Sequence, residues 1–135
     1  MMVAAVKRPL SLSAYSLLRK NGADIVEFRF DCFDELSPDI LFRCFSKAKK
    51  AGLKTLGTFR SSKEGGKGHL NEAQRLAIYE SMLPEADFVD IELSSAKILT
   101  SLRNDLSDHQ TKLILSHHNF RETPSEARLD QIIKE

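Results

Sequence analysis

Four short apolar runs of the chain each carry a pair of reactive side chains two residues apart: Glu27 and Arg29, Thr58 and Arg60, Asp90 and Glu92, and Ser116 and His118. Residues two apart on a β-strand share a face. In Ile25 to Phe30 the opposite face carries Val26, Phe28 and Phe30, so one side is greasy and the other charged. In all four runs the polar pair sits toward the C-terminal end. A parallel strand covered by helices on both sides reads as nearly all apolar, and these four depart from that in the same place. A closed barrel accounts for the departure, because barrel ligands bind at the C-terminal ends of the strands. Buried charges of both signs must pair with one another or with a ligand.

Proton transfer near neutral pH is the chemistry to look for, and histidine is the side chain suited to it. His69 lies in a polar loop and His109 in a turn, where solvated roles are expected. His117 and His118 are adjacent and must point opposite ways if the strand continues. Parity with Ser116 sends His118 inward and His117 toward the helices. Glu92, one strand over, is expected to hold the second ring nitrogen of His118 and fix its tautomer. The segment Ser61 to Gly68 invites a phosphate-loop reading, but Lys67 is followed by Gly68 and then His69, where that motif needs serine or threonine directly after lysine. A mobile loop over a barrel mouth is expected instead, with Lys63 and Glu64 near the ligand. Cys32 and Cys44 have no metal or redox spacing and are expected as two reduced thiols.

The elements that must position these groups alternate strictly. Strands are expected over Met2 to Val6, Ala23 to Phe30, Leu53 to Phe59, Asp87 to Leu93 and Lys112 to His117. The helix between the first two begins at a cap on Ser11 or Ser13 and stops at Asn21-Gly22. Ser37-Pro38 opens a second, which Gly52 ends. Asn71 with Gln74 opens a third as a capping box, which Pro84 closes. Ser94 or Ser95 caps a fourth reaching about Leu106, and Thr123-Pro124-Ser125 opens a last one running to the end of the chain. This is (βα)5 with a parallel sheet, expected as one domain over residues 1–135, with no linker, solenoid repeat or low-complexity tract.

Bulk properties exclude several classes. The chain has 135 residues with 20 basic and 19 acidic side chains, a net charge of +1, which gives no electrostatic case for nucleic acid or an anionic membrane. No apolar run approaches a bilayer's thickness. Met1 to Ser13 lacks a signal-peptide core, so a cytoplasmic location is expected.

Four segments together resemble a known family. Gly22-Ala23-Asp24-Ile25-Val26-Glu27-Phe28-Arg29-Phe30-Asp31 resembles the GADIVE-x-R-x-D strand of type I 3-dehydroquinate dehydratases. Thr58 to Gly66 resembles their TFR-S-x-x-EGG segment, and Ala86 to Leu93 their AD-x-x-D-x-E-L strand. Ser116-His117-His118-Asn119-Phe120 with Thr123-Pro124 resembles their S-x-H-[DN]-F-x-x-TP signature. The resemblance implies a TIM barrel that dehydrates 3-dehydroquinate to 3-dehydroshikimate in the shikimate pathway. A lysine forms a Schiff base with the substrate ketone. His118 would move the proton and Glu92 would orient it. Glu27, Arg29, Arg60 and Glu64 would grip the substrate, and Asp90 would support the network. No metal and no organic cofactor is implied.

The family's Schiff-base lysine lies on a sixth strand, and this chain ends at Lys134-Glu135. The chain is therefore expected to be an incomplete barrel, inactive alone, with strands one and five as bare edges that favour self-association or a C-terminal half. Lys54 and Lys112 are placed at the wrong end of a barrel, Lys134 on the last helix, and Lys63 and Lys67 in the loop. Two alternatives differ in kind. One is a non-catalytic half-barrel acting as an interaction module. The other is a metal-dependent barrel enzyme with Glu27, Asp90, Glu92 and His118 as ligands, against which Arg29 and Arg60 count because they already neutralise the carboxylates.

Overall fold

The computed structural model of the chain describes residues 1–134. Strands β1 (Val3–Val6), β2 (Ile25–Arg29), β3 (Lys54–Thr58), β4 (Phe88–Glu92) and β5 (Lys112–Ser116) alternate with helices α1 (Leu12–Lys20), α2 (Pro38–Lys50), α3 (Glu72–Met82), α4 (Ala96–Asp108) and α5 (Glu126–Lys134). Local chemistry sets the boundaries. Of the two candidate caps for α1, Ser11 accepts from the Ala14 N–H at 3.2 Å. Asn71 and Gln74 satisfy each other's backbone N–H at 3.0 Å, the reciprocal capping box expected for α3. Gly22 and Gly52 follow α1 and α2 with φ of +94° and +78°, a left-handed turn that costs a residue without Cβ nothing. Ser95 stands at the start of α4 without capping it, because its hydroxyl is engaged elsewhere.

All five strands are parallel and neighbour each other in chain order. In-register partners project from the same side of a sheet, so register builds rows across it. Arg29, Thr58 and Asp90 form one row. Glu92 and Ser116 stand in the next, toward the C-terminal ends. Glu27, Leu56 and Phe88 lie one row below. Such layering is how a βα barrel fills its interior.

The other face is the core. Val6, Val26, Phe28, Val89 and Ile91 meet Tyr15, Leu41, Phe45, Tyr79, Met82, Ile98 and Leu102 from α1 to α4, all buried. Phe28 packs edge-on against Phe45 (ring centroids 5.3 Å) and Tyr15 (5.9 Å). Gly57 permits close helix approach, since a Cβ there would stand 2.5 Å from the Met82 sulfur and 3.3 Å from the Phe45 ring. The edges differ from this interior. Leu113, Ile114 and Leu115 on β5 and Met2 and Val3 at β1 are exposed, and α5 buries no residue. Among the described residues β1 and β5 do not pair, and no helix is long and apolar enough to cross a membrane.

Two strand beginnings are tied by side chains. The Asp87 carboxylate accepts from the Thr55 N–H (2.8 Å) and hydroxyl (2.7 Å), and the Asp87 N–H donates back to the hydroxyl oxygen at 3.1 Å. Thr55 is fully buried. T55V keeps the shape and orphans the Asp87 N–H, so it is expected to cost about 1–3 kcal/mol. Urea unfolding should show a lower midpoint at an unchanged slope. An unchanged midpoint would mean that water replaces the lost partner.

Candidate active site

The mouth of the sheet is organised around Glu92, which has no exposed surface. One carboxylate oxygen accepts from the Ser61 N–H at 2.8 Å and from Arg60 Nη1 at 3.2 Å. The other accepts from Arg75 Nη2 and from the Ser95 hydroxyl at 3.2 Å. Arg60 Nη1 also meets Asp90 Oδ1 at 3.0 Å and the Ser116 hydroxyl at 2.7 Å, and that hydroxyl donates to Asp90 at 2.6 Å. Two guanidiniums and two carboxylates therefore alternate through a dry region. Burial pushes the Glu92 carboxyl up, but the Ser61 N–H and the Arg75 charge outweigh it and hold the group below the ordinary carboxylate range. Tyr79, buried beside it, donates to the Asp90 carbonyl at 2.7 Å, and burial raises its pKa.

A second carboxylate pins the entrance. Asp31 takes a two-pronged grip from Arg29, with Nε and Nη2 each at 2.9 Å, and accepts from the Lys67 N–H at 3.1 Å and the Arg60 N–H at 3.4 Å. Burial alone would raise the Asp31 carboxyl, and these donors bring it below its usual range. The third carboxylate, Glu64, is buried in a 3₁₀ turn, Ser62–Glu64. One oxygen accepts from the Ser94 hydroxyl at 2.6 Å. The other faces the His118 N–H at 2.9 Å and ring Nδ1 at 3.2 Å. A carboxylate only accepts, so Nδ1 carries the proton and Nε2 is left as the basic nitrogen. Phe120 stacks beside the imidazole, with centroids 6.2 Å apart and planes 15° off parallel.

The structure brings most of the expected residues to one end of the sheet and rearranges their partners. Glu92 does not orient His118; both of its oxygens are taken by Arg60, Ser61, Arg75 and Ser95. Glu64, expected to grip substrate, holds His118 instead. The reason is positional. β5 ends at Ser116, level with Glu92, and His118 lies one step further on, level with Ser94 and the turn that carries Glu64. The loop expected to be mobile is anchored at Glu64, at Lys67 and by the Gly66 N–H on the Ser61 carbonyl (2.9 Å). Glu27 is half-buried, one row below Arg29, with no hydrogen bond among the described residues. Arg29 is paired with Asp31, and Arg60 with Asp90 and Glu92.

From the sequence alone Arg75 and Tyr79 have no role, Asp31 has only a place in a motif, and Ser95 only that of a helix cap. Arg75, Tyr79 and Met82 are the buried residues of α3, at i, i+4 and i+7. An arginine in the apolar stripe of a helix is a readable sign of a buried carboxylate partner. Among the described residues no group of three or more His, Cys, Asp or Glu could hold a metal ion, so Glu27, Asp90, Glu92 and His118 do not converge as a ligand set. All eleven lysines of the sequence are exposed, including Lys54, Lys63, Lys67, Lys112 and Lys134.

Parallel βα units in chain order, with rows of inward side chains and a charged cluster at the C-terminal ends, are the architecture of part of a βα-barrel. The chain belongs to the type I 3-dehydroquinase family, whose model matches residues 7–135. It is 38% identical over 119 residues to the 3-dehydroquinate dehydratase of Hydrogenobaculum sp., covering 88% of this chain and 54% of that protein. It is 37% identical over 117 residues to the 3-dehydroquinate dehydratase of Aquifex aeolicus, covering 87% and 52%. The crystal structure of the Aquifex aeolicus VF5 enzyme superposes with a TM-score of 0.87 at 33% identity, over 99% of this chain and 60% of that one. The chain thus spans about half the length of the curated relatives it matches, and the family resemblance of its motifs is upheld.

Removing the charge of Glu92 tests this geometry. E92Q leaves Arg60 and Arg75 buried beside a neutral amide, a loss expected at about 3–5 kcal/mol at pH 7. A carboxyl whose folded pKa is depressed stabilises the fold above its unfolded value, and that contribution is lost as pH falls through the folded one. Urea unfolding across an acid series should therefore show a shallower acid loss for E92Q than for the parent chain. Equal slopes would mean that Glu92 is not held ionised by these partners.

Proposed function

We propose that this chain supplies the proton-transfer side of a type I 3-dehydroquinate dehydratase, converting 3-dehydroquinate to 3-dehydroshikimate. The observation that carries this reading is His118 with its Nδ1 against buried Glu64, leaving Nε2 free as a base. In the reaction that the family resemblance implies, a lysine amine condenses with the substrate ketone and the iminium draws electrons from the adjacent carbon. His118 Nε2 takes the C2 proton, and the C2–H electron pair moves into the iminium to give an enamine. The enamine expels the hydroxyl, which leaves as water with a proton from the imidazolium. Hydrolysis of the remaining imine releases the ketone product and the amine. Arg29, Arg60 and Glu27 grip the substrate's oxygen substituents, Asp90 with Ser116 fixes Arg60, and Glu64 with Glu92 sets the frame.

Every lysine here is solvent-exposed, and a desolvated amine is what such a nucleophile needs. The amine is therefore assigned to further βα units seated against the exposed apolar edge at Leu113 and Leu115. A C-terminal half of the barrel is the partner that fits, with self-association as the competing occupant. We further read the chain as one folding domain, working in the cytoplasm, where Cys32 and Cys44 remain free thiols.

Borohydride trapping tests the assignment. The chain alone with 3-dehydroquinate should give no covalent adduct by intact mass. Adding the C-terminal segment of the Aquifex aeolicus relative should give turnover and an adduct on a lysine of that segment. H118Q should keep the adduct and lose roughly 10²–10⁴-fold in turnover. An adduct on a lysine of this chain, or full turnover by H118Q, would contradict the proposal.

A further inference from the structure

We infer that Arg75, on the helix layer outside the sheet, is a positioning residue that sets where the substrate-facing Arg60 points. The inference rests on the dehydratase reading for what Arg60 does, and on geometry alone for what Arg75 does to it. Arg75 is only 5% exposed. It reaches from α3 to the strand ends, where Nη1 donates to the Ser95 hydroxyl at 3.0 Å and Nη2 to the Phe59 carbonyl at 3.2 Å and to Glu92. It stands on the buried stripe of α3 with Tyr79 and Met82. It acts on Arg60 through Glu92, which both guanidiniums share, and through the Phe59 carbonyl next to Arg60 in the chain.

The consequence follows from counting charges. Glu92 and Asp90 are two buried carboxylates, and Arg60 and Arg75 are two buried guanidiniums. With Arg75 holding one Glu92 oxygen, Arg60 needs to give Glu92 only Nη1, which it shares with Asp90 and Ser116. Nε and Nη2 of Arg60 make no hydrogen bond among the described residues and are the donors left for a ligand. Without Arg75, two carboxylates compete for a single guanidinium. Glu92 is the more buried of the two and gains most from neutralisation. Arg60 is then drawn onto the vacated Glu92 oxygen and away from Asp90, Ser116 and the ligand.

The test has two arms. In the isotope-labelled full chain, the Arg60 Nε–Hε resonance is followed in the parent, R75M, R75K and the double variant R75M/E92Q. R75M should move that resonance. R75M/E92Q should return it toward the parent position, because neutralising Glu92 leaves Arg60 only Asp90 to pair with. R75K, which keeps the charge but not the fork, should fall between and provides a folded variant should R75M fail to fold. An Arg60 resonance unmoved in folded R75M or R75K would overturn the inference, whatever the change in stability. In the barrel completed by a C-terminal segment, R75M should raise KM for 3-dehydroquinate roughly tenfold with kcat within about threefold, the signature of lost substrate binding. A fall in kcat with KM unchanged would overturn the positioning role. If the completed parent barrel shows no turnover, the dehydratase reading fails, and the Arg60 resonance still decides what Arg75 does.

Discussion

A carboxylate with no exposed surface sits where three strands, one helix and two loops meet. Burying Glu92 as an anion is affordable only because four donors from three separate stretches of chain converge on it: Arg60 and Ser61 after β3, Arg75 on α3, and Ser95 at the head of α4. Each of those donors has a consequence elsewhere. The Ser95 hydroxyl gives up capping α4 in order to serve Glu92. The Ser61 N–H fixes the start of the 3₁₀ turn that presents Glu64 to His118. Arg60 is held so that it also reaches Asp90 and Ser116 across β4 and β5. The mouth of the sheet is thus a consequence of satisfying one buried charge.

The same constraint explains why the candidate base lies in a loop and is nonetheless well placed. His118 lies beyond the end of β5, where a strand's periodicity no longer directs it. Its position comes from Glu64, buried and shared with Ser94, and from Phe120, whose ring lies close against Gly65. Gly65 has a φ of +82°, and a Cβ there would stand 2.6 Å from the Phe120 ring, so the glycine is needed both for the turn and for the contact. Asp31 plays the matching part on the other side of the mouth, where it ties Arg29 to the backbone of the same loop. The loops at the mouth are held by buried carboxylates, and the strands supply the frame.

Much of this was legible in the sequence, and the boundary of legibility is physical. The alternation of β and α elements and the four inward pairs follow from period-two patterning and from caps such as Asn71 with Gln74, which are local signals. Parity says which face Glu92 and His118 occupy. It does not say that the row of Glu92 ends at Ser116 and leaves His118 to a different carboxylate; that is set by register between strands. A glycine-rich loop has no periodicity to reveal that Glu64 is buried, so its sequence points only to a ligand contact. Arg75 is marked in the sequence only by its spacing from Tyr79 and Met82, which places an arginine on the buried stripe of α3.

The measurement that bears most directly on the account is the titration of the Glu92 side-chain carboxyl carbon by nuclear magnetic resonance in the folded chain. With two guanidiniums and a backbone N–H bound to it, Glu92 should show the chemical shift of an ionised carboxylate throughout the neutral range. It should begin to protonate only below the ordinary carboxylate range, together with the acid loss of the fold. A Glu92 that titrates at or above the ordinary carboxylate value while the chain stays folded would mean that burial prevails over its partners, and that the charge network at the mouth is not what holds this structure together.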